Sequence, residues 1–235
     1  DVITVSGELN ASSQVLGNAG ADNITIDAIL SANGNATIGG GSGNDTITLS
    51  AASTSTYILG GGGRDSINIG AASGADAGGT IVGGIGADSI TFSADIESTG
   101  GEIAQAIGFQ SFNDSTANSS DVITFTNSIS GGNASGNLVF NIAMDGIGSA
   151  ETAGTVALNS ASITNSVATF SSVSSVAARI EKLDSMITTQ GQYAVFYDSD
   201  DNSAAYLFIQ GGSEQDIVAR FDNADAAAMT GLAAG

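Results

Sequence analysis

Apolar and polar residues alternate in short bursts along the first half of the chain. NITI at 23–26, TITL at 46–49, SINI at 66–69 and SITF at 89–92 each place a large apolar residue at every second position. A period of two marks a short strand with one buried face. The aspartates that precede the bursts set a frame: Asp22, Asp45, Asp65 and Asp88 lie 23, 20 and 23 residues apart. Two positions after them come Ile24, Ile47, Ile67 and Ile90, and four after them Ile26, Leu49, Ile69 and Phe92. Seven before them stand Val15, Ile38, Ile58 and Ile81. Asp1 and Asp121 open two weaker copies, DVITV and DVITF, whose glycine loops are missing or degenerate.

One strand and one turn cannot bury their own apolar face, but stacked copies can, as a ladder of Ile and Val inside a coil. An interval of 20 to 23 residues fits two short strands and two bends per coil. The second strand is expected to end at Val15, Ile38, Ile58 and Ile81. SAASTSTY and AASGADAGG then fall on the opposite bend. The predicted fold is all-β dominated: a parallel β-roll or β-solenoid, then a C-terminal β-rich region with one helix. The predicted organisation is a roll over 1–127, continued β structure over 128–171, and a helix with a β-hairpin cap over 172–235.

Composition sharpens this picture. Among 235 residues there are 33 Gly and no Pro, with 42% hydrophobic but only 6% aromatic residues, which suits thin layered β structure. Disorder is a poor account, because the β-branched residues keep register with the glycines. The glycines permit positive φ and a tight turn before each strand.

Charge changes it further. The formal net charge is −20, so nucleic acid and anionic membrane surfaces should repel the chain and cations should be drawn to it. No apolar run approaches the ~20 residues of a membrane span. The chain has no Cys and no His, which removes thiolate and imidazole chemistry. Lys182 leaves a Ser-Lys dyad formally open, but no Ser-x-x-Lys motif surrounds it. No catalytic constellation remains, and the chain is not expected to be an enzyme. No N-terminal signal sequence is visible, and a chain beginning at Asp1 is read as a processed product or a fragment.

Stacking would set equivalent residues about 4.8 Å apart. Asp22, Asp45, Asp65 and Asp88 would then form a column of like charge. At an effective dielectric near 20, each adjacent pair repels by roughly 3 kcal/mol. Ca²⁺ is the natural counter-ion, because it takes six to eight carboxylate and carbonyl oxygens. The glycine loop bares its carbonyls and the Asp supplies the charge. Metal-free turns are the competing reading, since Gly and Asp are common turn formers.

GGSGNDTIT, GGGGRDSIN and GGIGADSIT resemble the repeats-in-toxin (RTX) nonapeptide, G-G-x-G-x-D-x-U-x with U large and apolar. GNAGADNIT lacks only the second Gly. The resemblance covers residues 1–127, and is strong over 17–93. It implies a parallel β-roll with Ca²⁺ in its turns and export by a type I secretion apparatus. The implied metal positions are Asp22 with Gly17 and Gly20; Asp45 with Gly40, Gly41, Gly43 and Asn44; Asp65 with Gly60, Gly61, Gly63 and Arg64; and Asp88 with Gly83, Gly84, Gly86 and Ala87. Asp1 and Asp121 are weaker candidates. In the family's simplest form nonapeptides run back to back and both edges bind Ca²⁺. Here they come once per coil, so one calcium-bearing edge is expected.

Residues 98–120 break the pattern and read as an insertion or short helix packed on the roll. NLVFNIA (137–143), GTVALNSASI (154–163) and SVATFS (166–171) alternate as strands. VSSVAARIEKLDSMI (173–187) has helical spacing. QYAVFYDSD and AAYLFIQG pair as a hairpin across Asp198–Ser203, and apolar strands here are expected to cap the solenoid's open end. DSDDN (198–202) lacks the Gly and Glu of an EF-hand loop. The order of these elements also resembles the C-terminal region of RTX-type surface-layer and other type I secreted proteins, whose export signal lies at the extreme C-terminus.

Three functions stay open. The leading one is a calcium-dependent, self-assembling structural protein, secreted or on a bacterial cell surface, such as a surface layer or extracellular matrix lattice. Its partners would be itself, through calcium, and a cell-surface polysaccharide. The others are the RTX tail of a secreted enzyme, and a solenoid adhesin or ice-binding protein with outward Thr and Ser rows.

Overall fold

The computed structural model of the protein describes residues 1–10, 12–27, 36–50, 56–70, 79–93, 105–126, 156–158, 161–164, 167–170, 175–198 and 204–222. Eleven short strands come first: β1 (Val2–Val5), β2 (Gln14–Ala19), β3 (Asn23–Ile26), β4 (Thr37–Ser42), β5 (Thr46–Leu49), β6 (Tyr57–Gly62), β7 (Ser66–Ile69), β8 (Gly79–Ile85), β9 (Ser89–Phe92), β10 (Gln105–Gly108) and β11 (Asp121–Phe125). The odd-numbered strands pair in parallel as one sheet, and the even-numbered strands pair in parallel as a second. The chain thus alternates between two walls, which is a parallel β-solenoid.

The coils stack with every apolar position in register. Ile24, Ile47, Ile67, Ile90 and Ile123 face one another rung by rung and are fully buried. Ile38, Ile58, Ile81 and Ile107 do the same on the opposite wall. Phe92 and Phe125 stack with ring centroids 5.3 Å apart. Burying one such side chain stabilises by about 1.5–3 kcal/mol, so repetition of one local choice carries the fold.

Two expectations are corrected. The second strand of each coil does not end at its apolar residue; it begins beside it and runs on through the first glycines of the loop. Glycine lets the wall continue there, because no side chain competes for the space inside the turn. Within 98–120, residues 105–108 form neither an insertion nor a helix. They are β10, with Ile107 opposite Ile81, and only the following loop departs from the repeat. After β11 the pairings between neighbouring strands are antiparallel, except that 167–170 runs parallel to 193–197, the helix lying between them in the chain. NLVFNIA, most of the two opposite bends and most of DSDDN lie outside the described residues.

The C-terminal region comprises β12 (Val156–Leu158), β13 (Ala161–Thr164), β14 (Val167–Phe170), α1 (Val176–Met186), β15 (Tyr193–Tyr197), β16 (Ala204–Ile209) and β17 (Ile217–Asp222). The hairpin expected across 198–203 is present as β15 and β16. β17 pairs antiparallel with β16 and parallel with β11, so the first sheet runs on from solenoid to cap. Phe221 stands opposite Ile123 and extends its column. β15, β16 and β17 are buried on both faces. Val195, Leu207, Ala219 and Phe221 join the solenoid core, while Phe196, Phe208 and Val218 pack with Leu183 and Met186 of α1. Ser175 caps α1, its hydroxyl accepting from the Ala178 amide at 3.2 Å. Arg179 lies over the Phe170 ring and donates to the Tyr197 carbonyl, so its charge sits at the cap's inner surface.

Candidate functional site

Each glycine loop must turn sharply and approach the neighbouring coil. Gly41, Gly61 and Gly84 have φ near +100° to +118°, and a Cβ on Gly61 would lie 1.9 Å from the Gly41 carbonyl oxygen. The imperfect copy places Asn18 in this row, opposite Gly41, with φ of 76°. Asn tolerates the left-handed region better than most residues, which explains how that loop survives without its second glycine.

The aspartates turn inward from these loops. Asp22, Asp45, Asp65, Asp88 and Asp121 are only 2–3% exposed. One carboxylate oxygen of each serves the backbone of the previous coil. The amides of Asp22, Asp45 and Asp65 donate to Asp45, Asp65 and Asp88 Oδ1 at 2.8 Å, and the Asp88 amide donates to Asp121 Oδ1 at 2.9 Å. The other oxygen lies against the glycine that opens the loop. A Cβ on Gly17, Gly40, Gly60 or Gly83 would fall 2.4–2.6 Å from Oδ2 of Asp22, Asp45, Asp65 or Asp88. All four Oδ2 atoms are buried and have no hydrogen-bond partner. The column therefore holds a row of desolvated, unsatisfied carboxylate oxygens, an arrangement that costs free energy unless a positive charge answers it.

Electrostatics agrees with the geometry. Burial raises Asp65 to about 6, against the Asp45 amide that lowers it, and the Asp45 charge adds to the rise. Burial likewise raises Asp88 to about 7 and Asp121 to about 9, opposed by the Asp65 and Asp88 amides and reinforced by neighbouring carboxylates.

The candidate positions divide. Asp22, Asp45, Asp65, Asp88 and Asp121 come together in the column, and Gly17, Gly40, Gly60 and Gly83 form its cradles. The carbonyls of Gly20, Gly41, Gly43, Gly61 and Gly63 point along the stack towards the next loop, whereas Gly84 and Gly86 receive such contacts from the coil before. Asn44 and Arg64 have exposed side chains. They meet each other instead, the Arg64 amide donating to Asn44 Oδ1 at 2.9 Å. Ala87 brings no polar side chain. The Asp1 side chain is exposed and outside the column, although its amino group lies 2.5 Å from Asp22 Oδ1.

Two residues had no sequence signal. Asp114 and Ser115 lie in the loop between β10 and β11, which has no glycine frame, yet both are buried. Ser115 Oγ accepts from the Asp121 amide at 2.7 Å and donates to the Val218 carbonyl at 2.6 Å. It replaces the aspartate that a further coil would have supplied, and ties the end of the column to β17.

Calcium fits this donor chemistry: one carboxylate per coil, and carbonyls in place of further acidic groups. Among the described residues no three acidic side chains converge on one point, so backbone oxygens would have to complete each site. No helix among the described residues is long and apolar enough to cross a membrane. The fold and column define a parallel β-solenoid with a buried acidic spine. No family model matches the chain and no curated protein matches it.

Proposed function

We infer that the protein is a calcium-dependent structural protein, secreted to a bacterial surface or extracellular matrix, where it assembles with copies of itself. The observation that carries this is the row of four buried, unpartnered Oδ2 atoms in a chain of net charge −20. Calcium would supply the missing positive charge in the turns. The residues that would hold it are Asp22, Asp45, Asp65, Asp88 and Asp121, with the carbonyls of the glycine loops. Without it the column repels itself and the coils are held apart, which keeps the chain open for export by a type I secretion apparatus. Binding energy would then appear as folding energy.

Assembly is supported by an edge inside the chain: the first sheet runs on from β11 into β17, whereas among the described residues β10 is the last strand of the second sheet. Such edges accept further strands. Electron microscopy of pure protein after addition of calcium tests this: ordered sheets or filaments are expected, and dispersed monomers at millimolar calcium would refute it.

A specific observation also favours a surface-binding role. Thr4, Thr25, Thr48, Asn68, Thr91 and Thr124 stand in register on the outer face of the first sheet. This polar row in register suits a cell-surface polysaccharide as anchor, or an ice-like lattice. Co-sedimentation with insoluble polysaccharide and an ice-affinity assay separate the two.

A further inference from the structure

The amides of Gly20, Gly43 and Gly63 donate to the carbonyls of Ser42, Gly62 and Ile85, one coil onward. The amide of Gly86 continues the series by donating to the Asp114 carbonyl at 3.4 Å. Asp114 therefore occupies the backbone position that Ser42, Gly62 and Ile85 hold in the glycine loops. Ser42 and Ile85 are exposed there, Ile85 by 61%, whereas Asp114 is 1% exposed. Its side chain has folded into the turn. Oδ2 accepts from the Gln110 amide at 2.7 Å, and Oδ1 is buried without a partner. On the facing coil, Asp88 Oδ2 is likewise buried and unpartnered. Burial is the main cause that raises Asp88 and Asp121, and the Asp114 charge adds to the rise of both. The last turn has thus lost its glycines and gained a second carboxylate.

We propose that Asp114, which lies outside the glycine frame, joins Asp88 in holding a divalent cation at the seam between solenoid and cap, the tightest cation site in the chain. This rests on the reading that the aspartate column takes calcium. The reason for its rank is charge: this turn adds the buried carboxylate of Asp114, with one oxygen free, to the one aspartate per coil of the column, where the glycine turns add carbonyls alone, and ligand charge tunes calcium affinity. The reason for its role is connection. Ser115, the next residue, exchanges hydrogen bonds with Val218 of β17 in both directions, its hydroxyl donating to the Val218 carbonyl at 2.6 Å and its carbonyl accepting from the Val218 amide at 3.0 Å. An ion on Asp114 fixes the loop that joins the last coil to the cap, and so sets the surface on which the other coils stack.

The test is calcium titration of the metal-depleted full chain by calorimetry, with ions counted by native mass spectrometry. Asp114→Asn should bind one ion fewer, and its tightest remaining step should have a dissociation constant raised by about tenfold or more. Asp65→Asn should lose binding in the glycine turns and keep the tightest step. An Asp114→Asn chain that matches the unsubstituted protein in count and tightest step, while Asp65→Asn loses ions, overturns the inference and leaves the column intact. Loss of the tightest step in Asp65→Asn overturns it as well. Absence of calcium binding by the unsubstituted protein removes the column reading and this one together. Should Asp114→Asn not fold, anomalous scattering from crystals of the unsubstituted protein grown with terbium decides. A peak bonded to Asp114 Oδ1 is expected, and peaks confined to the glycine turns overturn the proposal.

Discussion

The solenoid and its cap bury similar apolar residues but place their polar atoms in opposite ways. In the coils from β2 to β9 one acidic residue per turn is driven inward, its carboxylate half satisfied by the previous coil and half left without a partner. In β15, β16 and β17 the inward positions are almost all apolar, and the buried polar residues there are satisfied. Gln210, for example, donates to the Ile187 carbonyl at 2.5 Å and accepts from the Gly212 amide at 2.7 Å. Removal of water drives both regions together. Only the first carries a charge that folding by itself leaves unanswered. One protein can thus contain a half whose stability depends on solution conditions and a half whose stability depends on packing alone.

The sharpest way to break this contrast is a chelator, which would withdraw the proposed calcium. Amide exchange over residues 37–50 and 56–69 should then accelerate by about two orders of magnitude or more, the factor expected when an ion at a hundred times its dissociation constant is withdrawn. Exchange over 193–198 and 204–209 should change far less. Equal loss of protection in both segments would show that the two halves are not energetically distinct. On the packing side, Phe221→Ala should cost about 3–5 kcal/mol in denaturant unfolding, because it empties a fully buried position where cap and solenoid columns meet. That loss should be present in saturating calcium as well as in chelator; a loss seen only in chelator would contradict the assignment.

Acidity offers a finer test, with a sign opposite to that of an ordinary salt-bridged aspartate. Asp88 and Asp121 are raised from 3.8 to about 7 and about 9 in the folded chain. Between pH 4 and 9 the calcium-free folded state holds more protons than the unfolded one, so its stability falls as pH rises through that window. In chelator the melting temperature should climb from pH 8 to pH 5; in calcium it should drop over the same interval, as protons displace the ion. A rise with pH in chelator would mean that the column is already neutralised by the protein. The smallest effect belongs to the cap alone: Ser175→Ala should cost about 1 kcal/mol, measured by thermal unfolding and independent of calcium.

What could be read from the residues follows from repetition. Asp, Ile and Gly recur at fixed offsets, and each coil makes the same local choice, so the columns of Ile24 to Ile90 and Asp22 to Asp88 are visible in one dimension. The inward turn of the carboxylates was not, because a Gly-Asp loop reads equally as a solvent-facing bend. Asp114 and Ser115 left no trace, since their contacts with Gln110, Asp121 and Val218 occur once and over separations as long as 103 residues. β10 was hidden because Ile107, which stands opposite Ile81, is not followed by the glycine loop that marks the other coils. In the cap, burial on both faces erased the alternation that marks a half-buried strand, and only the hairpin spacing survived.

The aspartate ladder has a direction. Every amide in it leans on a carboxylate that lies later in the chain, and the final one leans on Ser115, which is held by β17. A ribosome therefore delivers the pieces in the reverse of the order that locks them. A product cut short before residue 217 would carry all its coils and still have no keystone, so quality control over completeness is written into the stack itself.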